Sequence, residues 1–329
     1  MSATLKTTTV NGIHLRYAEA GPMDHGGPLV LFCHGWPESW YSWRHQLEAV
    51  SAAGFRCVAP DMRGYGGTEA PESIDSYSLF HLVGDMAELV KALTDKNGGE
   101  TKAVIVGHDW GAPVAWHAAL WRPDLFTAVC GMSVPYAPPG HVDLLTALGK
   151  LGITDFYIQY FQKPDVAEAE LQHDIKGALR RLYFTASGDL DDDKKGFGRL
   201  PAGTLLANTA DPAALPRWLS EADLDYYTAE FARTGFRGGL NWYRNIRRNW
   251  ELSAPWRGQP IHVPSLFIAG SKDGVLRFPA AKSQLDAFPT TLPGLRGSHI
   301  LDGPGHWIQQ ERPDEVNRLL IEFLRSLSS

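Results

Sequence analysis

The chain has 329 residues, 44% hydrophobic and 21% charged, which suits one large compact unit or a core carrying an insertion and argues against a disordered or fibrous chain. A formal net charge of −6 provides no basic surface, so no nucleic acid and no membrane insertion is expected. No apolar run approaches membrane-spanning length and the N-terminus, M-S-A-T-L-K-T-T-T-V, lacks the apolar core of a secretion signal, so a cytoplasmic location is expected.

Apolar, β-branched runs at 29–33, 55–59, 103–106 and 127–132 alternate with helical patterns. That alternation predicts an α/β fold with a mostly parallel sheet flanked by helices on both faces. Cys33, Cys57 and Cys130 each lie inside one of these runs, where a thiol behaves as a small hydrophobe, and unpaired thiols fit a reducing compartment. The first run leads directly into H-G-W-P-E at 34–38. His34 sits inside that tight Gly-Pro loop and is expected to brace it by hydrogen bonds.

The third run continues as V-I-V-G-H-D-W-G-A at 104–112, a strand followed by Gly107-x-Asp109-x-Gly111 and a helix. Glycine on both sides permits the strained strand-to-helix turn that lifts the central side chain above the sheet, the nucleophile elbow of α/β-hydrolases. A bland role for Asp109 is to cap the helix that begins near Gly111. No G-x-S-x-G occurs anywhere to compete for the elbow, which favours Asp109 as the nucleophile. A carboxylate is ionised at neutral pH and can displace at an sp³ carbon to form an ester, so the implied substrates are epoxides or haloalkanes. In this fold one oxyanion donor follows the first run and the other follows the nucleophile. Those backbone N–H groups belong to Trp36 and Trp110.

After Pro135 the alternation stops, and helical, loop and acidic stretches run until a strand pattern returns at 265–269. The simplest division is a first core part at 1–135, a helical cap insertion at 136–255 and a second core part at 256–329. Asp273 follows the returning strand in G-S-K-D-G-V, and the loop after Met132 offers no acid before His141, so Asp273 is the candidate triad acid. The last strand, 298–301, is followed by G-P-G-H-W at 303–307 and a helix at 313–327, where this fold places its base, His306. His262 and His299 lie before or within strands and read as core or rim residues, and Asp302 reads as a turn residue. The order Asp109, Asp273, His306 is that of nucleophile, acid and base. The mechanism calls for neither a metal nor a cofactor.

The motifs H-G-W-P-E-S-W-Y-S-W-R-H-Q-L (34–47), D-M-R-G-Y-G (61–66), G-H-D-W-G-A, Y-F-Q-K-P-D-V-A-E-A-E-L (160–171), G-F-R-G-G-L-N-W-Y-R-N (235–245) and G-H-W together resemble the soluble epoxide hydrolases, over nearly the whole chain. The resemblance implies a pair of cap tyrosines holding the epoxide oxygen, by motif position Tyr157 and Tyr243, with Tyr160 the close competitor for the first. A phenol can hydrogen-bond an opening alkoxide and give it a proton. The implied partners are a small lipophilic epoxide and water. The chain begins near its first core strand and so resembles the single-unit members, without the phosphatase unit of mammalian forms. Trp36, Trp110 and cap aromatics are expected to line an apolar pocket, while Trp116 and Trp121 are expected to be packing. A haloalkane dehalogenase with the same Asp nucleophile is the alternative, and a ligand receptor on a retired hydrolase scaffold is the alternative outside enzymes. The N-W-Y-R-N motif favours a phenolic donor over a halide site, and every part of the catalytic set is present.

Overall fold

The computed structural model describes residues 3–22, 29–94, 102–196 and 198–327. Its strands are β1 (Thr4–Val10), β2 (Ile13–Ala20), β3 (Leu29–Cys33), β4 (Cys57–Pro60), β5 (Ala103–His108), β6 (Phe126–Met132), β7 (Ser265–Gly270) and β8 (Leu295–Leu301). They form one sheet in the order β1-β2-β4-β3-β5-β6-β7-β8, in which the β1–β2 and β2–β4 pairings are antiparallel and the rest parallel. Every residue of β3, β4, β5 and β7 is buried, as strands covered on both faces must be. Alternate side chains serve opposite faces. Leu29, Leu31 and Cys33 join α2 (Leu79–Thr94) and α3 (Gly111–Trp121), while Val30 and Phe32 join α1 (Arg44–Ala52) and the C-terminal helix Pro313–Ser326. β4 lies on one side of β3 and β5 on the other, and such a switch point opens a crevice at the carboxyl ends of the strands.

The α/β expectation holds, with three differences. The sheet starts with a hairpin that a reading beginning at residue 29 misses. β1 is largely exposed and carries no apolar run, yet its turn, Asn11-Gly12, has φ of 46° and 77°, the positive pair that makes Asn-Gly a strong hairpin signal. The second strand begins at Cys57 rather than 55, because the Phe55 N–H closes the end of α1 on the Val50 carbonyl at 3.3 Å. The last begins at Leu295 rather than 298, as an edge strand with alternating burial. Cys33, Cys57 and Cys130 are free and buried, and burial raises all three thiol pKa values.

Between β6 and β7 run α4 (Leu144–Lys150), α5 (Tyr157–Tyr160), α6 (Val166–His173), α7 (Ile175–Ala186), α8 (Glu221–Thr234), α9 (Arg237–Arg244) and α10 (Ile246–Leu252). Their apolar faces, among them Leu179, Leu224, Phe231 and Trp242, are buried in the same cluster as α2 and α3. Polar contacts tie this layer to the sheet's carboxyl edge. The Tyr183 hydroxyl donates to the Pro37 carbonyl at 2.6 Å, the Trp242 indole donates to the Arg63 carbonyl at 3.1 Å, and Arg16 pairs with Glu230 at 2.8 Å. No helix among the described residues is long and apolar enough to cross a membrane.

Candidate active site

β5 ends one residue before Asp109, whose φ of 49° is one of four positive values outside glycine among the described residues. The glycines explain how the turn is accommodated. A Cβ on Gly107 would strike the Gly111 carbonyl, and one on Gly111 would strike the Cys33 carbonyl, so neither position accepts a side chain without moving backbone. The turn aims the carboxylate at the neighbouring β3 loop. Asp109 Oδ1 accepts from the Trp36 N–H at 2.7 Å, and Oδ2 lies 3.4 Å from His306 Nε2. Trp110 begins the turn into α3, with its ring 5.1 Å from that of Tyr243.

His306 Nδ1 lies 3.1 and 3.3 Å from the two Asp273 carboxylate oxygens. Burial opposes a charged imidazole, but Asp273 and Asp109 outweigh it and hold the His306 pKa well above the ordinary 6.5. Burial likewise opposes the Asp273 carboxylate, yet His306, the Ser133 hydroxyl and the Val275 N–H together keep its pKa below the usual range. The two carboxyl groups that flank the ring thus favour its protonated form.

Tyr157 on α5 and Tyr243 on α9 face this group from the helical layer, with ring centroids 5.9 Å apart. Burial and the Asp109 charge raise the pKa of Tyr157, and burial, Tyr157 and Asp109 raise that of Tyr243, so both stay phenols able to donate. Tyr160 turns elsewhere and donates to Glu170 at 2.8 Å. Two cavities, of about 180 and 580 Å³, are both bounded by Asp109, Tyr157 and Tyr243. Trp36 and His306 border the smaller; Trp110, Trp116 and Leu148 border the larger. Trp116 also packs on Gly131, and Trp121 stacks on Phe80 at 4.1 Å.

His34 lies beneath the loop, with Nε2 accepting from the Met62 N–H at 2.9 Å and Nδ1 donating to the Gly35 carbonyl at 2.9 Å. His262 precedes β7 on the surface and His299 lies in edge strand β8. Asp302 accepts from the Ser271 hydroxyl at 3.3 Å in the following turn. Among the described residues no group of three or more His, Cys, Asp or Glu side chains could hold a metal.

Sequence reasoning missed the layer under the site. Buried Glu38 accepts from the Gly35 N–H and from His108 at 2.9 Å each and from Gln309 at 3.0 Å. Burial alone would raise its pKa, but His108, the Gly35 N–H and the nearby His34 bring it down to about 2. The other His108 nitrogen donates to the His306 carbonyl at 2.7 Å. One pair thus ties the Gly35–Glu38 loop, the elbow strand and the loop of His306. Glu311 accepts from the N–H groups of Gly305 and Trp307 at 2.9 and 3.0 Å, and from Gly188 of the helical layer at 2.9 Å. Glu38 stands inside the H-G-W-P-E motif, so its type was visible; its partners, 70 and 271 residues away, were not.

A family model described as alpha/beta hydrolase fold matches residues 28–313. The chain is 44% identical to "Epoxide hydrolase A" of Mycobacterium tuberculosis over 98% of each chain, and 41% identical to "Epoxide hydrolase 1" of Siraitia grosvenorii over 97% of each. Among solved structures it is similar to an epoxide hydrolase from an endophytic Streptomyces, with a TM-score of 0.92 and 47% identity, covering 99% of this chain and 96% of that one.

Proposed function

Because this chain belongs to the epoxide hydrolases of the α/β-hydrolase fold, we propose that Asp109 opens an epoxide by attack on carbon and that His306 then directs water onto the ester, giving a vicinal diol. The observation that carries this reading is the asymmetry of one carboxylate. Asp109 Oδ1 is held by the Trp36 N–H at 2.7 Å, while Oδ2 faces His306 and the cavity. Attack through Oδ2 leaves Oδ1 as the ester carbonyl oxygen, already on its donor. The adjacent Trp110 N–H is the second donor by position, so the oxyanion formed when water adds meets both.

The epoxide oxygen sits on the other side, against Tyr157 and Tyr243. Their hydroxyls stabilise the opening alkoxide and supply its proton. Phenols suit an oxygen that stays on the product better than a departing halide, which disfavours dehalogenation. Ester formation also changes the base. Asp109 is one of the two carboxylates that hold His306 protonated, and once esterified it carries no charge, so the histidine pKa falls when a base is needed. His306 passes its proton to the phenolate left by ring opening and then takes one from water while Asp273 stabilises the imidazolium; the ring returns that proton to the departing diol oxygen, and Asp109, released as a carboxylic acid, reprotonates the ring.

Apolar walls in both cavities suit a small lipophilic epoxide, and residues 136–255 act as the cap that closes over it. The three buried free thiols fit a cytoplasmic enzyme. The test is His306→Gln, which should open the epoxide but not hydrolyse the ester. Intact-protein mass spectrometry should then show a gain equal to the mass of the epoxide. An unmodified protein at saturating epoxide would contradict the reading.

A further inference from the structure

Four neighbouring strands, β5, β6, β7 and β8, bring their carboxyl ends to one edge. Three of those ends carry Asp109, Asp273 and the loop of His306, and the fourth, after β6, carries Ser133. Its side chain is fully buried. Its Oγ lies 3.0 Å from His306 Nδ1, the same ring nitrogen that faces the Asp273 carboxylate at 3.1 Å. A carboxylate only accepts, so Asp273 keeps the proton on His306 Nδ1, and the Ser133 Oγ meets that N–H as a second acceptor. That N–H is therefore shared between a carboxylate at 3.1 Å and a hydroxyl at 3.0 Å. The two acceptors, on adjacent strands, fix the plane of the ring and so the direction of Nε2.

Ser133 has φ of 69°, a conformation glycine adopts without penalty and serine does not. If the position only turned the chain, glycine would serve it better.

The geometry points to Ser133 as a positioning residue of the hydrolytic step, one that holds the His306 ring so that Nε2 addresses the water attacking the Asp109 ester. It rests on the roles proposed above for Asp109, Asp273 and His306. Ser133 touches no reacting atom. Its effect falls on ester hydrolysis, where the histidine is a base, and not on ring opening, which the tyrosines and Asp109 carry out.

The test is Ser133→Gly beside Ser133→Ala, with His306→Gln as reference, each followed by rapid-quench mass spectrometry of the ester during turnover. Glycine fits the backbone and removes the hydroxyl; alanine removes the hydroxyl and keeps Cβ. Both should form ester at the wild-type rate and hydrolyse it roughly ten- to a hundredfold more slowly, the range for losing a hydrogen bond to a charged group. Ester should accumulate, and kcat and KM should fall together, while the melting temperature of Ser133→Gly stays at or above wild type. A folded glycine variant that hydrolyses ester at the wild-type rate, while His306→Gln still traps it, would overturn the proposal and leave the mechanism standing. Absence of ester in every variant, His306→Gln included, would overturn both.

Discussion

Removing one phenol leaves the other on the epoxide oxygen, so Tyr157→Phe and Tyr243→Phe should each slow ring opening, by about a hundredfold for a general acid, and the double variant should be nearly inactive. Tyr160→Phe should be close to wild type, because its hydroxyl is engaged with Glu170 at 2.8 Å. Single-turnover ester formation measures all four; a Tyr160 variant slower than the Tyr157 variant would refute the assignment. Glu38 makes a different prediction. Its folded pKa of about 2 lies below the ordinary 4.5, so its stabilisation is complete above the unfolded value and is lost as pH falls from about 5 toward 2. The depression corresponds to about 3 kcal/mol. Glu38→Gln should therefore melt lower at pH 7, yet lose less further stability than wild type between about pH 5 and 3; a parallel decline in both proteins would refute it. That Asp109, Asp273 and His306 come together was legible in the sequence because a rule about adjacent residues marks each: two glycines around a turn, an acid after a strand, a G-H-W before the last helix. Ser133 was not, since its partner His306 is 173 residues away and only the sheet order makes them neighbours.

At the scale of elements, the elbow depends on backbone meeting backbone. Gly111 faces the Cys33 carbonyl at the end of β3, so Gly111→Ala must push β3 from α3. It should destabilise the protein by about 3 kcal/mol or more and move the Trp36 N–H off Asp109. Thermal unfolding together with ester formation checks this; an alanine variant with wild-type melting and turnover would contradict the packing argument. The central parallel strands were readable because burial on both faces leaves continuous apolar runs, as in L-V-L-F-C of β3. The edge was harder. β1 reads T-L-K-T-T-T-V and is mostly exposed, so its evidence lay in the Asn11-Gly12 turn and not in its strand. β8 alternates half-buried and exposed residues, and only its apolar end, near Ile300, drew notice.

For the molecule as a whole, the site is made where two layers meet: the sheet edge supplies Asp109, Asp273 and His306, the proposed nucleophile, acid and base, and the helical layer supplies Tyr157 and Tyr243, the proposed phenolic donors. The larger cavity, about 580 Å³ against 180 Å³, should make kcat/KM rise as one apolar substituent of the epoxide is lengthened. The central claim, however, is that Asp109 is alkylated before water enters, and the origin of the added oxygen tests it most directly. A single turnover in heavy-oxygen water with enzyme in excess should give mostly unlabelled diol, whose new oxygen came from the carboxylate, and should leave label in the peptide containing Asp109. Diol fully labelled in that first turnover, with an unlabelled Asp109 peptide, would mean that water attacks the epoxide directly and would contradict the account.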